Sequence, residues 1–470
     1  MMSDTEMPSN PPPSPTSSSE LNKDVQITES EVNENDMGKN TSEGGAKGTM
    51  ALMNKLPLPI AKPAAKLTNM NNKIGKRLTF TLKGVLPSFA NAIRRTILSD
   101  IPVVGFVTTP HEENRATIVK NTSRFNNEYL KQRLSCIPIH GSELKDAKDG
   151  RISNTQLVGE YAVELHVKNK TDSMLWVTTN DFRLIHKATG EVVENGQKMM
   201  EQLFPPFVSV NDTKHYIDIM SLRPFISDSL PGEEIHLTCE FSVCSAKKNS
   251  CYNVARLITY SNTVDLNLQT KKIAAMKEAA KLEGKSKEEI EFQVRNFELL
   301  EGKRLFLPNS FDFIVEGLGI YKNEVLVQHA CSILADSLNA LQDAMVQSDD
   351  AVITIFRNTE NTIPNCWDIV LHNEDYTLGT MLQDKLYQNF YPHTHNGRDK
   401  IEAINEKGNL ASMLNFCGFK KEHPHDTSSV IRVGFMKEEH SKLEFIQFMF
   451  SQVIPQIRDE FLHISRLMDK

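Results

Sequence analysis

Apolar residues recur at helical spacing in three parts of this 470-residue chain. In residues 88–98 they follow one another every four positions, which predicts an amphipathic helix with Ser88 as its N-cap. Residues 323–345 and 443–467 carry longer stripes of the same period, so each predicts a long helix with one apolar face. Pro455 lies inside the last stretch and is expected to kink or split that helix. The apolar positions of the first and last stripes are Phe89, Ile93, Ile97, Ile446, Phe450, Ile454, Ile457, Phe461 and Ile464.

Between these helices, alternating and β-rich runs predict strands. One run occupies residues 76–82, and several more fall in residues 111–225, which predicts a mostly β inserted module. Residues 352–436 predict two pairs of strands around a short helix. Residues 268–303 are instead rich in Ala, Lys and Glu and predict a helical hairpin that breaks at Gly284.

These elements follow the same plan twice: strands, a short helix, further strands and a long closing helix. The sequence therefore predicts an α+β protein with two similar halves, the first of them interrupted by the β-rich insertion. Residues 1–75 contain clustered Pro, Ser, Asn, Glu and Thr with almost no aromatic residues. Such a segment cannot bury enough apolar surface to offset its backbone entropy, so we predict a disordered tail.

Composition and charge exclude several classes of function. A net charge of -7 argues against a protein whose main role is to bind DNA, because such proteins usually carry a basic excess. No apolar run approaches the roughly 18 residues of a membrane span, and the first residues lack the apolar core of a signal peptide. Seven scattered cysteines, an odd number, suit a reducing compartment better than a disulfide framework. An intracellular protein without membrane contact is expected.

Patterns of catalysis and cofactor binding are weak. The stretch from Gly284 to Ser286 resembles the end of a phosphate loop, but Ala279 stands where the first glycine is required. The Asp-x-Asp-x-Asp cluster that holds magnesium in a polymerase catalytic subunit does not occur. The acidic pair Glu374–Asp375 precedes a predicted helix, where its charge favours the helix dipole. We therefore predict no catalytic or cofactor-binding residue in this chain.

A few cysteine and histidine residues could supply zinc ligands. Cys239 and Cys244 lie in an apolar strand and are better explained as small buried side chains. The histidines among the remaining candidates occupy loops, where histidines are common without metal, and no metal ligand is predicted among the remaining candidates. They are His393, His395, Cys417, His423 and His425.

Four short motifs resemble subunits of RNA polymerases. Residues 89–98, FANAIRRTIL, resemble the N-A-L-R-R-x-x-L helix of alpha-type subunits. Residues 121–139 are similar to the N-T-S…E-x-x-x-x-R-L-G-x-I-P-L segment of that family, with Ser135 in place of its glycine. Residues 372–382 resemble the E-D-H-T-L-G-N-x-L signature of the small eleventh subunit of eukaryotic RNA polymerase II, and residues 417–433 resemble its A-G-Y…H-P…I-I-R-V segment.

This resemblance implies two alpha-like dimerisation modules, packed against each other as an intramolecular pseudo-dimer. The larger half is similar to the third-largest subunit and the smaller half to its partner. The expected division of the chain is a tail at 1–75, a first module at 76–110 and 226–345 with a helical insertion at 268–303, an inserted β-rich domain at 111–225, and a second module at 352–470.

The resemblance also implies a function. In this family the paired alpha-like chains dock the large catalytic subunits, so this chain is expected to be a non-catalytic assembly platform of a DNA-directed RNA polymerase. The implied partners are the two large catalytic subunits, chiefly the second largest, and small zinc-binding subunits, with little or no direct DNA contact. Magnesium and zinc are expected on other subunits. The alternatives are a stand-alone regulatory or nucleic-acid-binding protein with an alpha-like fold, and a metal-dependent enzyme built on the histidines.

Roles for individual residues follow from the same resemblance. Ile93 and Ile97 would face the dimer core. Adjacent helical residues point to different sides, so either Arg94 or Arg95 would reach a large subunit, unless both only cover apolar surface. Thr377 and its neighbours are interpreted as packing residues rather than direct contacts. The predicted subunit-interface set is Phe89, Asn91, Ile93, Arg94, Arg95, Ile97, Leu98, Thr377, Leu378, Ile446, Phe450 and Ile454.

Two departures from the family pattern are informative. Residues 111–225 contain only one cysteine, Cys136, so the zinc or iron–sulfur cluster of some relatives cannot form there. The fusion of both halves in one chain resembles that in large double-stranded DNA viruses of eukaryotes. The resemblance therefore implies a viral polymerase subunit, located in the virion and in the cytoplasm or nucleus of the infected host cell.

Overall fold

The structure is a computed structural model with an α+β fold, as predicted. It describes residues 63–74, 77–140, 144–145, 151–152, 154–194, 196–359, 362–391 and 413–469. The predicted disordered tail lies outside the described residues up to residue 62. No helix of the described residues is long and apolar enough to cross a membrane.

The strands, in chain order, are β1 (Lys66–Ile74), β2 (Arg77–Lys83), β3 (Val103–Gly105), β4 (Ala116–Asn121), β5 (Leu144–Lys145), β6 (Arg151–Ile152), β7 (Tyr161–Lys168), β8 (Leu175–Thr178), β9 (Phe182–His186), β10 (Phe207–Val208), β11 (Lys214–His215), β12 (Asp218–Leu222), β13 (Glu234–Glu240), β14 (Ser242–Cys244), β15 (Ala255–Val264), β16 (Phe306–Gly317), β17 (Ile353–Arg357), β18 (Cys366–His372), β19 (Leu414–Lys420) and β20 (Ser428–Phe435). The α-helices are α1 (Pro87–Ser99), α2 (Asn127–Ser135), α3 (Asn154–Glu160), α4 (Gly196–Leu203), α5 (Leu266–Leu282), α6 (Lys287–Leu299), α7 (Asn323–Gln347), α8 (Tyr376–Phe390) and α9 (Leu443–Leu467).

The two halves of the chain have the same topology. In the first half, β1, β2, α1, β15, β16 and α7 follow one another, apart from the insertions, and the sheet order is β1-β2-β16-β15. In the second half the corresponding elements are β17, β18, α8, β19, β20 and α9, and the sheet order is β17-β18-β20-β19. All the pairings within both sheets are antiparallel. The plan predicted from the sequence is therefore present twice, down to the position of the fourth strand between the second and third.

The first strand of the first half corrects one prediction. The chain pairs with β2 from Lys66 onward, so the prediction of a disordered tail up to residue 75 is wrong for β1. The polar sequence of β1, KLTNMNNKI, gives no strand signal by itself. It forms a strand because the backbone of β2 provides hydrogen-bond partners for it. At the edge of an antiparallel sheet one face of a strand can be exposed to solvent, so a mostly polar sequence is tolerated there.

Helix α1 begins at Pro87, whose fixed φ and missing N–H suit the first helical position. Leu86 is the N-cap and no side chain caps the helix, so the prediction that Ser88 is the N-cap is wrong. Because Pro87 already adopts helical geometry, Ser88 lies inside the first turn and is buried. The predicted apolar stripe of this helix is buried along its whole length.

The inserted domain is built around the antiparallel sheet β4-β13-β7-β9. Strand β13 lies between β4 and β7, so the predicted end of this domain at residue 225 is wrong. Its residues alternate between buried and half-buried, and the buried ones join the core of the inserted domain. Phe106 packs in that core against Phe182, Phe204 and Phe241, with ring centroids 5.4–6.3 Å apart. Strand β13 thus belongs with the sheet that buries its apolar side.

The hairpin of α5 and α6 lies between β15 and β16 and confirms the predicted helical insertion. The chain reverses at Gly284, where φ is +72°. Ser286 then caps α6, and the Glu289 carboxylate bonds back to the Ser286 N–H in the predicted capping box. Such reciprocal bonds satisfy two backbone donors that the helix start leaves without partners.

The helices of the two halves pack against one another. Helix α7 packs along α9, and α1 packs against α8. Pro455 lies inside α9, but the helix runs unbroken from Leu443 to Leu467, so the predicted split does not occur. The buried face of α9 continues on both sides of the proline, and its packing offsets the one helical hydrogen bond that proline removes.

Candidate functional site

The junction between the two halves has an apolar centre. Phe89 of α1 and Phe461 of α9 stack with ring centroids 5.1 Å apart. Ile93 and Ile97 of α1 are also buried. Leu378 of α8 and the predicted interface residues of α9 are buried as well. Asn91 and Leu98 are half-buried at its margin. The buried members of the predicted interface set are Phe89, Ile93, Ile97, Leu378, Ile446, Phe450 and Ile454.

A polar contact joins the halves beside this centre. The Arg95 Nη2 group donates a hydrogen bond of 2.6 Å to Asp375 Oδ2, and its Nε donates one of 2.8 Å to Thr377 Oγ1. Asp375 is also the N-cap of α8, because its Oδ1 accepts the Thr377 N–H at 2.8 Å. One carboxylate therefore caps a helix of the second half and pairs with an arginine of the first.

The environment of Asp375 favours its charged form. Burial by itself raises the pKa of this carboxyl, but the hydrogen bond from the Thr377 N–H and the charge of Arg95 outweigh burial. The pKa of Asp375 is consequently lower than its ordinary value.

The two adjacent arginines have different partners. Arg94 donates from Nε and Nη2 to Asn91 Oδ1, at 3.2 and 2.8 Å, within its own helix. Arg95 turns toward the second half instead. Thr377, interpreted from the sequence as a packing residue, also contacts the first half, since its hydroxyl accepts a hydrogen bond from Arg95. Helical spacing could separate the directions of the two arginines but could not show which partners lay there.

The glycine of the second-half motif has a steric role. A Cβ atom at Gly379 would overlap the ring of Phe419 in β19. Tyr376 contacts the same ring edge-on, with centroids 5.4 Å apart. The T-L-G motif at the start of α8 and the C-G-F motif of β19 therefore pack against each other.

Arg432, from the I-R-V motif of β20, pairs with Asp368 on the neighbouring strand β18. Its Nε and Nη2 each donate to one carboxylate oxygen at 2.6 Å, and Asn358 donates a further bond of 2.7 Å to the same carboxylate. Asp368 is buried, which raises its pKa, yet these bonds lower the pKa below its ordinary value. This fork-shaped pair fixes the register of the two central strands of the second sheet.

A second contact between the halves was not predicted. Glu460, on the buried face of α9, accepts the backbone N–H groups of Ala64 and Ala65 at 3.2 and 2.8 Å. The ring of His463 bonds to the carbonyl oxygen of Ala65 at 3.1 Å. These contacts fasten the start of β1 to the last helix. The available signal was an acidic residue within an apolar stripe, because a buried carboxylate requires hydrogen-bond donors.

Residues 79–338, just over half of the chain, match the family model of the RNA polymerase Rpb3/Rpb11 dimerisation domain. The chain belongs to this family. The match includes Ile93 and Arg95 of α1 and most of α7, and it spans the inserted domain. The matched region therefore contains both the alpha-type motif of residues 89–98 and most of the two helices that pack against the second half, α1 and α7.

A conjugation stage-specific protein of Tetrahymena thermophila is 27% identical over 187 residues. The aligned region covers 39% of this chain and 54% of the relative, so the chain spans about half the length of the curated relative it matches. The name of that protein describes when it is made rather than what it binds.

The cysteine and histidine candidates for zinc binding can now be placed in the structure. Within the described ranges, no group of three or more His, Cys, Asp or Glu side chains could hold a metal ion. Cys239 and Cys244 are buried, and burial raises the pKa of Cys244 to about 11 and that of Cys417 to about 12. His423 and His425 face each other with centroids 5.2 Å apart, while His393 and His395 lie outside the described residues.

Proposed function

We propose that this chain is a non-catalytic assembly subunit of a multisubunit DNA-directed RNA polymerase, with both alpha-like modules fused in one polypeptide. The observation that carries the proposal is the repeated topology: each half has the same six elements and the same strand order. A dimerisation-domain family needs a partner module for its first half, and the matching topology of the second half, from β17 to α9, supports that role for it. The contacts of Arg95 with Asp375 and Thr377 link the two modules.

Fusion has a thermodynamic consequence for assembly. A covalent link makes pairing of the modules intramolecular, with an effective concentration on the order of mM for a short connection. Helix α7 ends at Gln347 and β17 begins at Ile353, so the connection is short. The paired platform then forms without waiting for a second chain, and its stoichiometry is fixed at one to one.

The expected partners are the two large catalytic subunits, chiefly the second largest, and small zinc-binding subunits. Support comes from exposed large apolar side chains outside the junction, because such residues are typical of protein contact surfaces. Among the described residues, Arg94 donates hydrogen bonds to Asn91 of its own helix and makes none with the second half, and we propose it as the arginine available to a large subunit. The exposed large apolar side chains of the inserted domain include Trp176, Phe207, Phe225, Ile226 and Leu230.

A viral setting follows from the fusion, since separate alpha-like chains are the rule in cellular polymerases. We propose a viral polymerase subunit that acts in the infected cell and is present in the virion. Magnesium and zinc would then be held by other subunits of the complex.

Affinity purification of the tagged chain from producing cells tests the proposal. The expected result is a large complex that contains two much larger subunits, identified by mass spectrometry, and that synthesises RNA. A monomer that binds DNA with strong salt dependence would instead favour the alternative of a stand-alone nucleic-acid-binding protein.

A further inference from the structure

An open cleft of about 660 Å³ lies beside the Arg95–Asp375 pair. Its walls come from the end of α1, the middle of α7, the turn before α8 and the loop between β19 and β20. Both halves of the chain therefore contribute to it. Its size would accommodate one long side chain together with part of the backbone that carries it.

The cleft lining carries four carboxylates, those of Asp100, Glu374, Asp375 and Asp426, and three cations, Arg95, Lys247 and Lys421. Arg95 is bonded to Asp375 and Thr377, and Lys421 lies over the ring of Tyr376. Asp100 accepts a hydrogen bond from the Ser99 hydroxyl, and Lys247 is the cation whose charge lowers the pKa of both Asp100 and Glu374. Burial raises the pKa of Glu374 to about 7; Lys247 lowers it, and Asp375 and Asp100 raise it further. Burial likewise raises the pKa of Asp100. An additional positive charge nearby would stabilise the charged form of both carboxylates.

A buried hydroxyl points to the same deficit independently. Thr96 lines the cleft and is 1% exposed, and its Oγ1 has no hydrogen-bond partner among the described residues. A buried polar atom without a partner is costly, and such atoms mark positions where a ligand or water completes the bonding. Ser337 and Asn373 add further side-chain oxygens to the lining. A hydrogen-bond donor with positive charge would satisfy both the excess of carboxylates and this hydroxyl, which can accept as well as donate.

We propose that this cleft binds an arginine side chain presented by a large polymerase subunit, with its guanidinium between Glu374, Asp100 and Thr96. A guanidinium carries five N–H donors and no acceptor, so it matches carboxylate and hydroxyl acceptors on several sides. A compact metal ion fits less well, since the described residues provide no group with metal-binding geometry. The guanidinium is inferred from the residues that line the cleft. That a large subunit presents it rests on the function proposed above.

Binding of a small probe to the full-length chain tests the cleft directly. N-acetyl-L-arginine amide and its neutral isostere N-acetyl-L-citrulline amide are titrated at low salt and followed by saturation-transfer NMR. We expect the arginine probe to bind at least about tenfold more tightly than the citrulline probe, because a charged hydrogen-bonded pair is lost in the latter. Equal binding of both probes, or binding of neither, would overturn the proposal.

Three variants locate the site. Glu374→Gln removes one charge and Thr96→Val removes the hydroxyl with little change of shape; each should weaken the arginine probe, the first by about tenfold. Thr96→Val should fold at least as stably as the unmodified chain, since it removes an unpaired buried polar atom, so its loss of binding cannot be attributed to misfolding. Glu439→Gln, at an exposed position outside the lining, is the control and should bind normally. Unchanged binding in Glu374→Gln contradicts the assignment.

Co-purification separates this inference from the proposed function. If the unmodified chain brings down the large subunits but neither variant alters probe binding, the cleft assignment fails and the proposed function stands. If the arginine probe binds as expected but no large subunit co-purifies, the cleft binds a guanidinium and the polymerase role fails. With both correct, Glu374→Gln should recover less of the large subunits than Glu439→Gln does.

Discussion

Arg95 and Asp375 are 280 positions apart in the sequence, and their side chains meet with 2.6 Å between Nη2 and Oδ2. The pair is partly open to solvent, at 34% and 41% exposure, so its energy is that of a surface ion pair rather than of a buried one. Its importance lies in geometry: the same carboxylate begins α8, so the position of that helix is tied to α1.

A double-mutant cycle of Arg95→Gln and Asp375→Asn should give a coupling energy of about 0.2–1 kcal/mol, measured by urea unfolding. Glutamine removes the charge, and with it the ion pair to Asp375, as such a cycle requires. Arg94→Gln in the same helix is the matched control and should show no coupling to Asp375→Asn. Coupling of equal size for both arginines would contradict the cross-half role of Arg95.

Replacing Ile93 by aspartate should destabilise the protein by about 4 kcal/mol or more, because it buries an unpaired carboxylate at the junction. Ile93→Val should cost only about 0.5–1.5 kcal/mol at the same position. Thermal unfolding and limited proteolysis of the two variants measure the difference. Native stability of Ile93→Asp would count against placing this residue in the packed interface.

Glu460→Gln should lower the free energy of unfolding by about 1–3 kcal/mol, since bonds from the Ala64 and Ala65 N–H groups to a charged acceptor become bonds to a neutral one. Hydrogen exchange at the amides of β1 should accelerate most. The adjacent Asp459→Asn, at a half-exposed side chain that pairs with Arg458, is the control. Equal exchange in β1 for both variants would show that Glu460 does not hold this strand.

The pKa of Glu374 predicts a pH dependence of stability. The pKa of Glu374 is about 7 in the folded protein and the ordinary pKa of a glutamate is 4.5, so the folded protein holds this proton over a range in which the unfolded chain has released it. The contribution of Glu374 to stability should therefore decline as pH rises from about 4.5 to about 7. Urea unfolding at several pH values should show a weaker decline for Glu374→Gln, while Glu439→Gln should follow the unmodified chain. Identical pH profiles for all three would contradict the raised pKa.

Much of the architecture could be predicted from the sequence because it rests on local periodicity. The stripes of α1, α7 and α9 and the capping box of α6 each lie within a few turns of helix. Strand β1 could not be predicted, because its residues are polar and its structure comes from pairing with β2. The placement of β13 failed for a related reason: its alternation predicts a strand but not the sheet that receives it.

At the junction, too, some features could be predicted from the local sequence and others could not. Burial of Ile93 and Ile97 follows from spacing alone. The partners of Arg95 depend on a turn almost three hundred residues away, and the contact of Glu460 with Ala65 joins residues 395 positions apart. Such contacts are fixed by the packing of whole modules, so no pattern within a short window contains them.

The pairing of β2 with β16 and the contact of β1 with α9 also determine how the chain can fold during its synthesis. Strand β2 leaves the ribosome more than two hundred residues before β16, and the start of β1 must wait for Glu460, which follows Ala65 by 395 positions. Contacts this distant in sequence form slowly, since the loop between them must close first. The apolar face of α1 is therefore exposed until α8 and α9 have been synthesised, which gives chaperones and proteases a long period in which to act on a nascent chain.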